Sequence, residues 1–295
     1  MHAEMGSLMT ASPATCHYTA RVARAVSSAV EHFLDMEGVT GSIPVPPTIR
    51  AVLFHHADMS ERNDAPPDRT PSGQRVASGR IARRFRGRWR QGYVRGKLRH
   101  DPSFDAIAVA LLDGSRTRPL LDLGCGMGLL GHWLRVRGWT GTYIGIDHDV
   151  RKLRAGRAAA RGLTPALTLR TGSLLALPPA LGSFRGDVVL LDVLHYLTRD
   201  AQSALLRRCA MCLEDGDVLL LRGVLRDGSW RYGVTRAEEW LLASTGWMRS
   251  GPRHVPSAAE LRGWLEELDL QVALRPLWGH TPFNSWLTVA RRGIR

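Results

Sequence analysis

From about residue 116 onward, short apolar runs alternate with amphipathic stretches. The runs have the length and composition of strands covered on both faces of a parallel sheet. They are Leu120–Asp122, Thr142–Asp147, Ala166–Arg170, Asp187–Asp192 and Asp217–Arg222. Predicted helices at Asp149–Arg161 and Arg199–Leu213 lie between strands, and each ends near a glycine. This alternation predicts right-handed βαβ crossovers and one parallel sheet, and therefore an α/β fold.

The C-terminal part adds one predicted helix and two predicted strands. Ser257-Ala-Ala-Glu260 has the spacing of a capping box, which marks the start of a helix. The candidate strands Leu270–Leu274 and Ser285–Ala290 follow, joined by a loop rich in Trp, His and Pro.

The most informative segment is Leu120–Gly131, which reads LLDLGCGMGLLG. An apolar run ends in an acid and a glycine cluster, and a helical pattern follows. Strand, tight glycine turn and helix are how a doubly wound fold presents backbone N–H groups to a nucleotide-like ligand. Gly124, Gly126 and Gly128 alternate, whereas a dinucleotide fingerprint needs G-x-G-x-x-G. The absence of a lysine after the glycines excludes a phosphate-binding P-loop.

A strand that follows the glycine loop is expected to end in an acid that binds a ribose diol. Thr142–Asp147 is such a strand, and Asp147 is such an acid. In the alternative interpretation, Asp147 only caps the helix that begins near Asp149.

The motif Asp122–Gly128, together with Asp147, resembles the first motifs of class I methyltransferases that use S-adenosylmethionine (SAM). The resemblance implies a Rossmann-like seven-stranded fold, with five parallel strands and a C-terminal antiparallel hairpin. It also implies SAM as cofactor. The residues expected to bind SAM are Asp122, Gly124, Cys125, Gly126, Gly128, Asp147, His148, Gly172, Ser173, Asp192, Val193, Tyr93 and Arg95.

The resemblance gives several of these residues roles. Asp122 would accept a hydrogen bond from the methionine ammonium, directly or through water, and Asp147 would bind both ribose hydroxyls. The segment around Gly172 and Ser173 would border the adenine. Many relatives have an acid where Ser173 stands, so its contact with the exocyclic amine is in question.

The segment after the fourth strand, Asp192-Val-Leu-His195, contains the candidate catalytic residues. It lacks the Pro-Pro-aromatic group of nucleic-acid amino-methyltransferases and the Pro-Cys of cytosine-C5 enzymes. Asp192 and His195 fit better with small-molecule methyltransferases. His195 is either a general base, since its ordinary pKa lies near 6.5, or a packing residue. Methyl transfer from a sulfonium depends mainly on in-line positioning, so a base is dispensable.

The flanking segments resemble methyltransferases of bacterial aryl polyene and related pigment gene clusters. This resemblance implies a small aromatic or polyketide-type acceptor, either free or bound to a carrier protein. In it, Tyr93, Arg95 and Lys97 contact the SAM carboxylate or an acidic group of the substrate. A lid near residues 226–256 would contain Trp230, Tyr232 and Trp240.

The net charge of +13 suggests an acidic partner. However, only Lys97 and Lys152 are lysines among the 40 Lys and Arg residues, and such an arginine bias is typical of a GC-rich genome. The cluster Arg80–Arg99 is interleaved with Phe85, Trp89 and Tyr93, which could stack on bases. An RNA methyltransferase is therefore one alternative function, although a solvated helix over the cofactor pocket is favoured. A non-catalytic SAM-binding protein is another.

The remaining expectations concern organisation. We expect residues 1–79 to be a disordered extension, with Met59 as the true start, followed by a basic helical cap (80–115) and the methyltransferase domain (116–295). The chain shows no apolar run of 18 residues, and we expect a cytoplasmic protein without a membrane span. Cys209 and Cys212 have metal-like spacing but no second ligand pair nearby, so no metal is expected. The oligomeric state stays open.

Overall fold

The computed structural model describes residues 71–176, 182–244, 252–278 and 283–293. These residues lie within one of the two compact units of the chain, Glu61–Arg295. The elements are α1 (Pro71–Ala82), α2 (Arg88–His100), α3 (Ser103–Leu112), β1 (Leu120–Leu123), α4 (Leu129–Val136), β2 (Tyr143–Asp147), α5 (Val150–Ala160), β3 (Leu167–Thr171), β4 (Asp187–Leu191), a 3₁₀ turn (Leu194–Tyr196), α6 (Arg199–Met211), β5 (Val218–Gly223), α7 (Trp230–Ser244), α8 (Ala258–Glu266), β6 (Leu270–Pro276) and β7 (Trp286–Arg292).

The seven strands form one sheet in the order β3-β2-β1-β4-β5-β7-β6. Neighbours from β3 to β5 pair in parallel. Strand β7 runs antiparallel to both β5 and β6. The predicted fold class is therefore confirmed. The chain reverses its winding direction between β1 and β4, and in open α/β sheets ligands bind beyond the carboxyl ends of the strands at such a switch point.

Apolar side chains cover both faces of the sheet. One core cluster holds Leu120 of β1 together with Phe85 from the turn between α1 and α2, Ile107 of α3 and Trp133 of α4. The other holds the adjacent Leu121 together with residues of α6 and α8. Successive strand residues point to opposite faces, so a continuous apolar run is what a strand buried on both sides requires.

The first described helix begins before the expected boundary at residue 80. Helix α1 starts at Pro71, and its residues Ala77 and Ile81 are buried in the core. Burial of these side chains explains why a polar-looking segment is helical. Met59 and the rest of residues 1–70 lie outside the described residues.

The predicted capping box is half formed. The Ser257 hydroxyl accepts a hydrogen bond from the Glu260 N–H at 3.1 Å. The Glu260 carboxylate does not complete the box, because it pairs with Arg199 at 2.6 Å and with His254 at 3.2 Å. None of the helices in the described ranges has the length and apolar character needed to cross a membrane.

Candidate functional site

The glycine loop between β1 and α4 turns through left-handed backbone conformations. The φ angles of Gly124, Gly126 and Gly128 are +85°, +56° and +71°, values that residues with a side chain rarely adopt. A Cβ atom on Gly124 would lie 2.3 Å from Val193 Cγ1, whereas one on Gly126 would meet no atom within 4 Å. The loop is thus packed on one side and open on the other, at the carboxyl edge of the sheet.

Asp147 holds this loop in place at the end of β2. Its Oδ2 accepts a hydrogen bond from the Gly126 N–H at 2.8 Å, and its Oδ1 accepts one from the Asp149 N–H at 2.8 Å. Asp149 is the residue that caps α5, through the N–H groups of Arg151 and Lys152. The interpretation of Asp147 as only a helix cap is therefore wrong. A carboxylate offers about four acceptor positions, so two remain for a ligand.

Neighbours of Asp147 include two other predicted residues. The Gly172 N–H donates to the Asp147 carbonyl at 3.0 Å, which places the end of β3 beside the loop. The His148 ring is 92% exposed, with Nδ1 3.6 Å from Asp147 Oδ1. Ser173 is exposed, and its hydroxyl accepts from the Leu175 N–H at 3.2 Å. The turn that contains Ser173 therefore already uses one acceptor position of its hydroxyl.

Asp122 is buried at the other side of the loop. Tyr143 donates its hydroxyl hydrogen to Oδ2 at 2.5 Å, whereas Oδ1 has no hydrogen-bond partner. Burial raises the pKa of Asp122 to about 7; the Tyr143 hydrogen bond opposes this rise, and the charge of Asp147 adds to it. An orphaned buried carboxylate oxygen is costly, and a cationic donor at Oδ1 would stabilise the charged form.

Cys125 lies between these two acids without chemical activity of its own. Burial, followed by the nearby charges of Asp122 and Asp147, raises the pKa of its thiol well above the usual range. The thiol stays protonated at neutral pH, so Cys125 acts here through its backbone and its packing rather than as a nucleophile.

A partly buried charge cluster lies at the ends of β4 and β5. The Arg222 guanidinium pairs with Asp192 and lies 3.5 Å from Asp101 Oδ2, and Lys97 Nζ lies 2.8 Å from the same oxygen. The Arg222 Nε donates to the Ser285 hydroxyl at 3.1 Å. Two cations thus face two carboxylates, and the cluster joins α2 to the sheet edge.

His195, on the 3₁₀ turn after β4, is buried. Its Nδ1 has no hydrogen-bond partner, and its ring centroid lies 4.2 Å from that of Tyr196. Burial lowers the pKa of His195, opposed by the charge of Asp192 and reinforced by that of Arg222. The imidazole is therefore neutral at pH 7 and able to accept a proton. It lines a small cavity with Leu225 and Trp286 among its other walls.

The structure separates the residues predicted on α2. Tyr93 is half-buried and packs against the core, and Lys97 joins the charge cluster. Arg95 is exposed, and it is two residues away from each of them. Residues two apart on a helix do not share a face. Arg95 therefore lies on a different face of α2 from Tyr93 and Lys97, and its expected contact with SAM stays a prediction.

The aromatic residues of the basic segment 80–99 are also divided. Phe85 is only 2% exposed and packs beside the ring of His132, with centroids 5.4 Å apart. Tyr93 is half-buried, which leaves Trp89, 47% exposed, as the one aromatic side chain of the segment free to stack on a base. Arg84 donates to the carbonyls of Ala159 and Arg161, at the end of α5. These contacts weaken the RNA alternative.

The predicted lid is described in part. The Arg226 N–H donates to the Pro256 carbonyl at 2.8 Å, which brings the two ends of the segment together. Asn284, which is buried and lies two residues before β7, makes two contacts with this segment. Its side-chain amide donates to the Leu225 carbonyl at 2.7 Å, and its backbone N–H donates to the Thr235 hydroxyl in the first half of α7. Residues 245–251, and the side chain of Trp240, lie outside the described residues.

The paired cysteines of α6 are packing residues. Cys209 and Cys212 are buried free thiols, and the Cys212 thiol donates to the Arg208 carbonyl at 3.4 Å. Within the described residues, no three His, Cys, Asp or Glu side chains group in a way that would hold a metal ion.

Sequence reasoning missed three residues of the site: Tyr143, Asp101 and Arg222. The signal for Arg222 was present, because a basic residue closes an otherwise apolar strand and needs a partner when buried. Tyr143 carried no such signal, since its partner Asp122 is 21 residues away in sequence. For Asp101 the spacing of four residues from Lys97 indicated one ion pair, but not the contact with Arg222.

A comparison by sequence supports the interpretation of Asp122–Gly128 as a methyltransferase motif. Residues 120–216 match the model of a methyltransferase domain. That segment runs from β1 to the start of β5, and contains the glycine loop, Asp147 and Asp192. No protein with a curated description matches the chain in sequence.

Several solved structures share the fold. The magnesium protoporphyrin IX methyltransferase of Synechocystis PCC 6803, solved with bound SAH, superposes with a TM-score of 0.51 at 20% identity, covering 68% of this chain and 88% of that one. An O-methyltransferase family protein of Burkholderia thailandensis gives 0.53 at 19% identity, covering 72% and 62%. The pyocyanin biosynthetic protein PhzM gives 0.52 at 19% identity, covering 69% and 58%. This chain spans less than two thirds of the last two proteins. These superpositions show that this chain has the class I methyltransferase fold. Its residues 120–216 are similar in sequence to a methyltransferase domain.

Proposed function

We propose that this chain is a SAM-dependent methyltransferase that acts on a small-molecule acceptor. The observation that carries the proposal is the loop Gly124–Gly128. Asp147 binds it through the Gly126 N–H at 2.8 Å, and on its open side no atom of the described residues lies within 4 Å of a Cβ built on Gly126. A loop of this kind at the switch point of the sheet is a site for a nucleoside-like ligand.

The residues present fit SAM. Asp147 has two acceptor positions left for the ribose hydroxyls, and the unpaired Oδ1 of Asp122 suits the methionine ammonium. Helix α4 begins at Leu129, where its free N–H groups and positive dipole end suit a carboxylate. Gly172 and Ser173 would border the adenine. When bound, SAM supplies an electrophilic methyl group on a sulfonium.

The protein's own contribution to the transfer is mainly orientation and the exclusion of water. Asp192 and His195 follow β4, beside the glycine loop, because Val193 packs against Gly124. His195 is neutral at pH 7, so it would take up a proton from an acceptor hydroxyl, amine or carbon acid. In-line positioning supplies most of the catalysis if the acceptor carries no proton to remove.

We propose an aromatic or polyketide-type acceptor, such as a pigment precursor, either free or carrier-bound. The apolar walls of the cavity beside His195 support an apolar acceptor. The names of two proteins that share the fold, which refer to magnesium protoporphyrin IX and to pyocyanin biosynthesis, agree with a small ring system. A cytoplasmic location is part of the same proposal.

Calorimetry with SAM tests the cofactor assignment. Asp147→Ala is expected to weaken SAM binding by about 1–3 kcal/mol, roughly 5- to 150-fold, because the ribose and the loop both lose a partner. Asp149→Ala is the matched control: it removes the cap of α5, costing about 1 kcal/mol of stability, and is expected to leave SAM affinity unchanged. Equal affinity of wild type and Asp147→Ala for SAM would refute the assignment.

Methyl-labelled SAM separates the acceptor classes. Purified protein incubated with a host metabolite extract is expected to label a small molecule, identifiable by mass. A parallel incubation with total RNA is expected to stay unlabelled. Label in the RNA would favour the RNA alternative, and binding of SAM without transfer to either pool would favour the non-catalytic one.

A further inference from the structure

The conformation of Asp192 is unusual and depends on one neighbour. Its φ angle is +56°, a left-handed conformation that costs free energy for a residue with a side chain and persists only where the surroundings fix it. The Asp192 N–H donates to the Arg222 carbonyl at 2.9 Å, and the Asp192 carboxylate pairs with the Arg222 guanidinium. Arg222 therefore fixes both the backbone and the side chain of Asp192.

Arg222 is in turn held from outside the sheet. Its Nη1 lies 3.5 Å from Asp101 Oδ2, at the junction of α2 and α3. Asp101 is buried and anchored, because its Oδ1 accepts from the Ser103 N–H at 2.9 Å and its Oδ2 lies 2.8 Å from Lys97 Nζ. The charges of Arg222 and Lys97 outweigh burial and hold the pKa of Asp101 well below its usual range. Asp101 thus stays charged at all ordinary pH values.

The position of Asp192 also affects the glycine loop. Val193, the next residue, occupies the place that a Cβ on Gly124 would take. A shift of Asp192 would therefore move Val193 against the loop that Asp147 holds. The contacts form a continuous path from α2 through Asp101, Arg222 and Asp192 to the proposed SAM site.

We propose that Asp101 and Arg222 are positioning residues that act on the SAM site through Asp192. The helices before the sheet are then part of the site rather than a cover over it. This inference rests on the proposed function, since it concerns SAM binding. It assigns the cluster a role that a fully solvent-exposed ion pair would not have, because Asp101, Arg222 and Lys97 are largely buried and hold the more exposed Asp192 carboxylate from one side.

The test compares Asp101→Asn with Asp105→Asn by SAM calorimetry and thermal unfolding. Asp105 is the matched control, because it is also buried, also precedes the sheet, and also pairs with an arginine, but that arginine is Arg137, at the end of α4, and not a residue of the cluster around Arg222. Both variants are expected to unfold at a lower temperature. Only Asp101→Asn is expected to weaken SAM binding, roughly tenfold, since small displacements of positioning groups have such effects.

Two further variants separate positioning from general stability. Arg222→Lys keeps the charge but loses the planar fork that reaches several partners, and is expected to resemble Asp101→Asn. In an Asp192→Asn background, Asp101→Asn is expected to have no further effect on SAM affinity, because the path is already broken. If Arg222→Lys does not fold, the pair of Asp101 measurements decides alone.

The outcomes are distinct. Wild type without SAM binding would refute the proposed function itself. Wild type that binds SAM, together with equal affinity losses in Asp101→Asn and Asp105→Asn, would overturn the positioning role. Undiminished affinity in Asp101→Asn, or an unchanged loss in the Asp192→Asn background, would overturn it as well.

Discussion

His132 of α4 gives the sharpest stability prediction. Its ring is 1% exposed, packs beside Phe85, and has no hydrogen-bond partner on either nitrogen. Burial, and to a lesser degree the charge of Arg84, lowers the pKa of His132 from 6.5 to about 4. The substitution His132→Leu replaces the imidazole with an apolar side chain of similar size, and therefore removes the titrating group from the core.

The magnitude follows from proton linkage. The folded-state pKa lies below the unfolded value, so between pH 6.5 and about 4 the unfolded chain binds a proton that the folded protein does not. Stability contributed by neutral His132 is therefore complete above pH 6.5 and is lost as the pH falls. At about 1.36 kcal/mol per pH unit, the loss at this one site approaches about 3 kcal/mol by pH 4.

Urea unfolding of wild type and His132→Leu at several pH values between 7.5 and 4.5 measures this effect. Other titrating groups contribute equally to both proteins, so the difference between their free energies of unfolding isolates His132. We expect that difference to shift in favour of the variant by about 2–3 kcal/mol over the range. A difference that stays constant with pH would show that His132 binds its proton equally well in the folded and unfolded states, and would refute the reasoning.

Three other substitutions are expected to have defined effects. Gly124→Ala should lower the melting temperature and weaken SAM binding, because the new Cβ would lie 2.3 Å from Val193 Cγ1 at a φ of +85°. Tyr143→Phe removes the hydrogen bond that opposes the raised pKa of Asp122, so the pKa of Asp122 should rise further. SAM affinity measured from pH 6 to 9 should therefore reach its maximum at a higher pH than in wild type. An unshifted profile would contradict a charged Asp122 in the SAM complex. Arg84→Ala deprives the end of α5 of two hydrogen bonds and should lower the free energy of unfolding by about 1–2 kcal/mol, seen in urea titration.

The success of the sequence analysis has a local cause. Each of the five parallel strands was predicted to within about two residues, because a strand buried on both faces must be apolar throughout. The glycine loop was predicted because the tight turn requires glycines at fixed spacing. Asp147 was predicted because it is the acid that ends the next strand. The assignment of cofactor residues such as Asp122 and Ser173 stays a prediction.

The failures concern contacts between distant parts of the chain. Nothing local to Glu260 shows that Arg199 and His254 draw its carboxylate away from the capping box. The same holds for the helical start at Pro71, which depends on burial of α1 against the sheet.

The sequence by itself determined the sheet, the glycine loop and the acid at the end of β2, since period, composition and turn chemistry act over a few residues. Only the tertiary structure decided how the charges are paired. Lys97 and Asp101 lie four residues apart at the end of α2, whereas Arg222 belongs to β5, and their proximity depends on how α2 packs across the strand ends. The left-handed conformation of Asp192 is likewise stable because Arg222 holds it, and that partner lies 30 residues further along the chain.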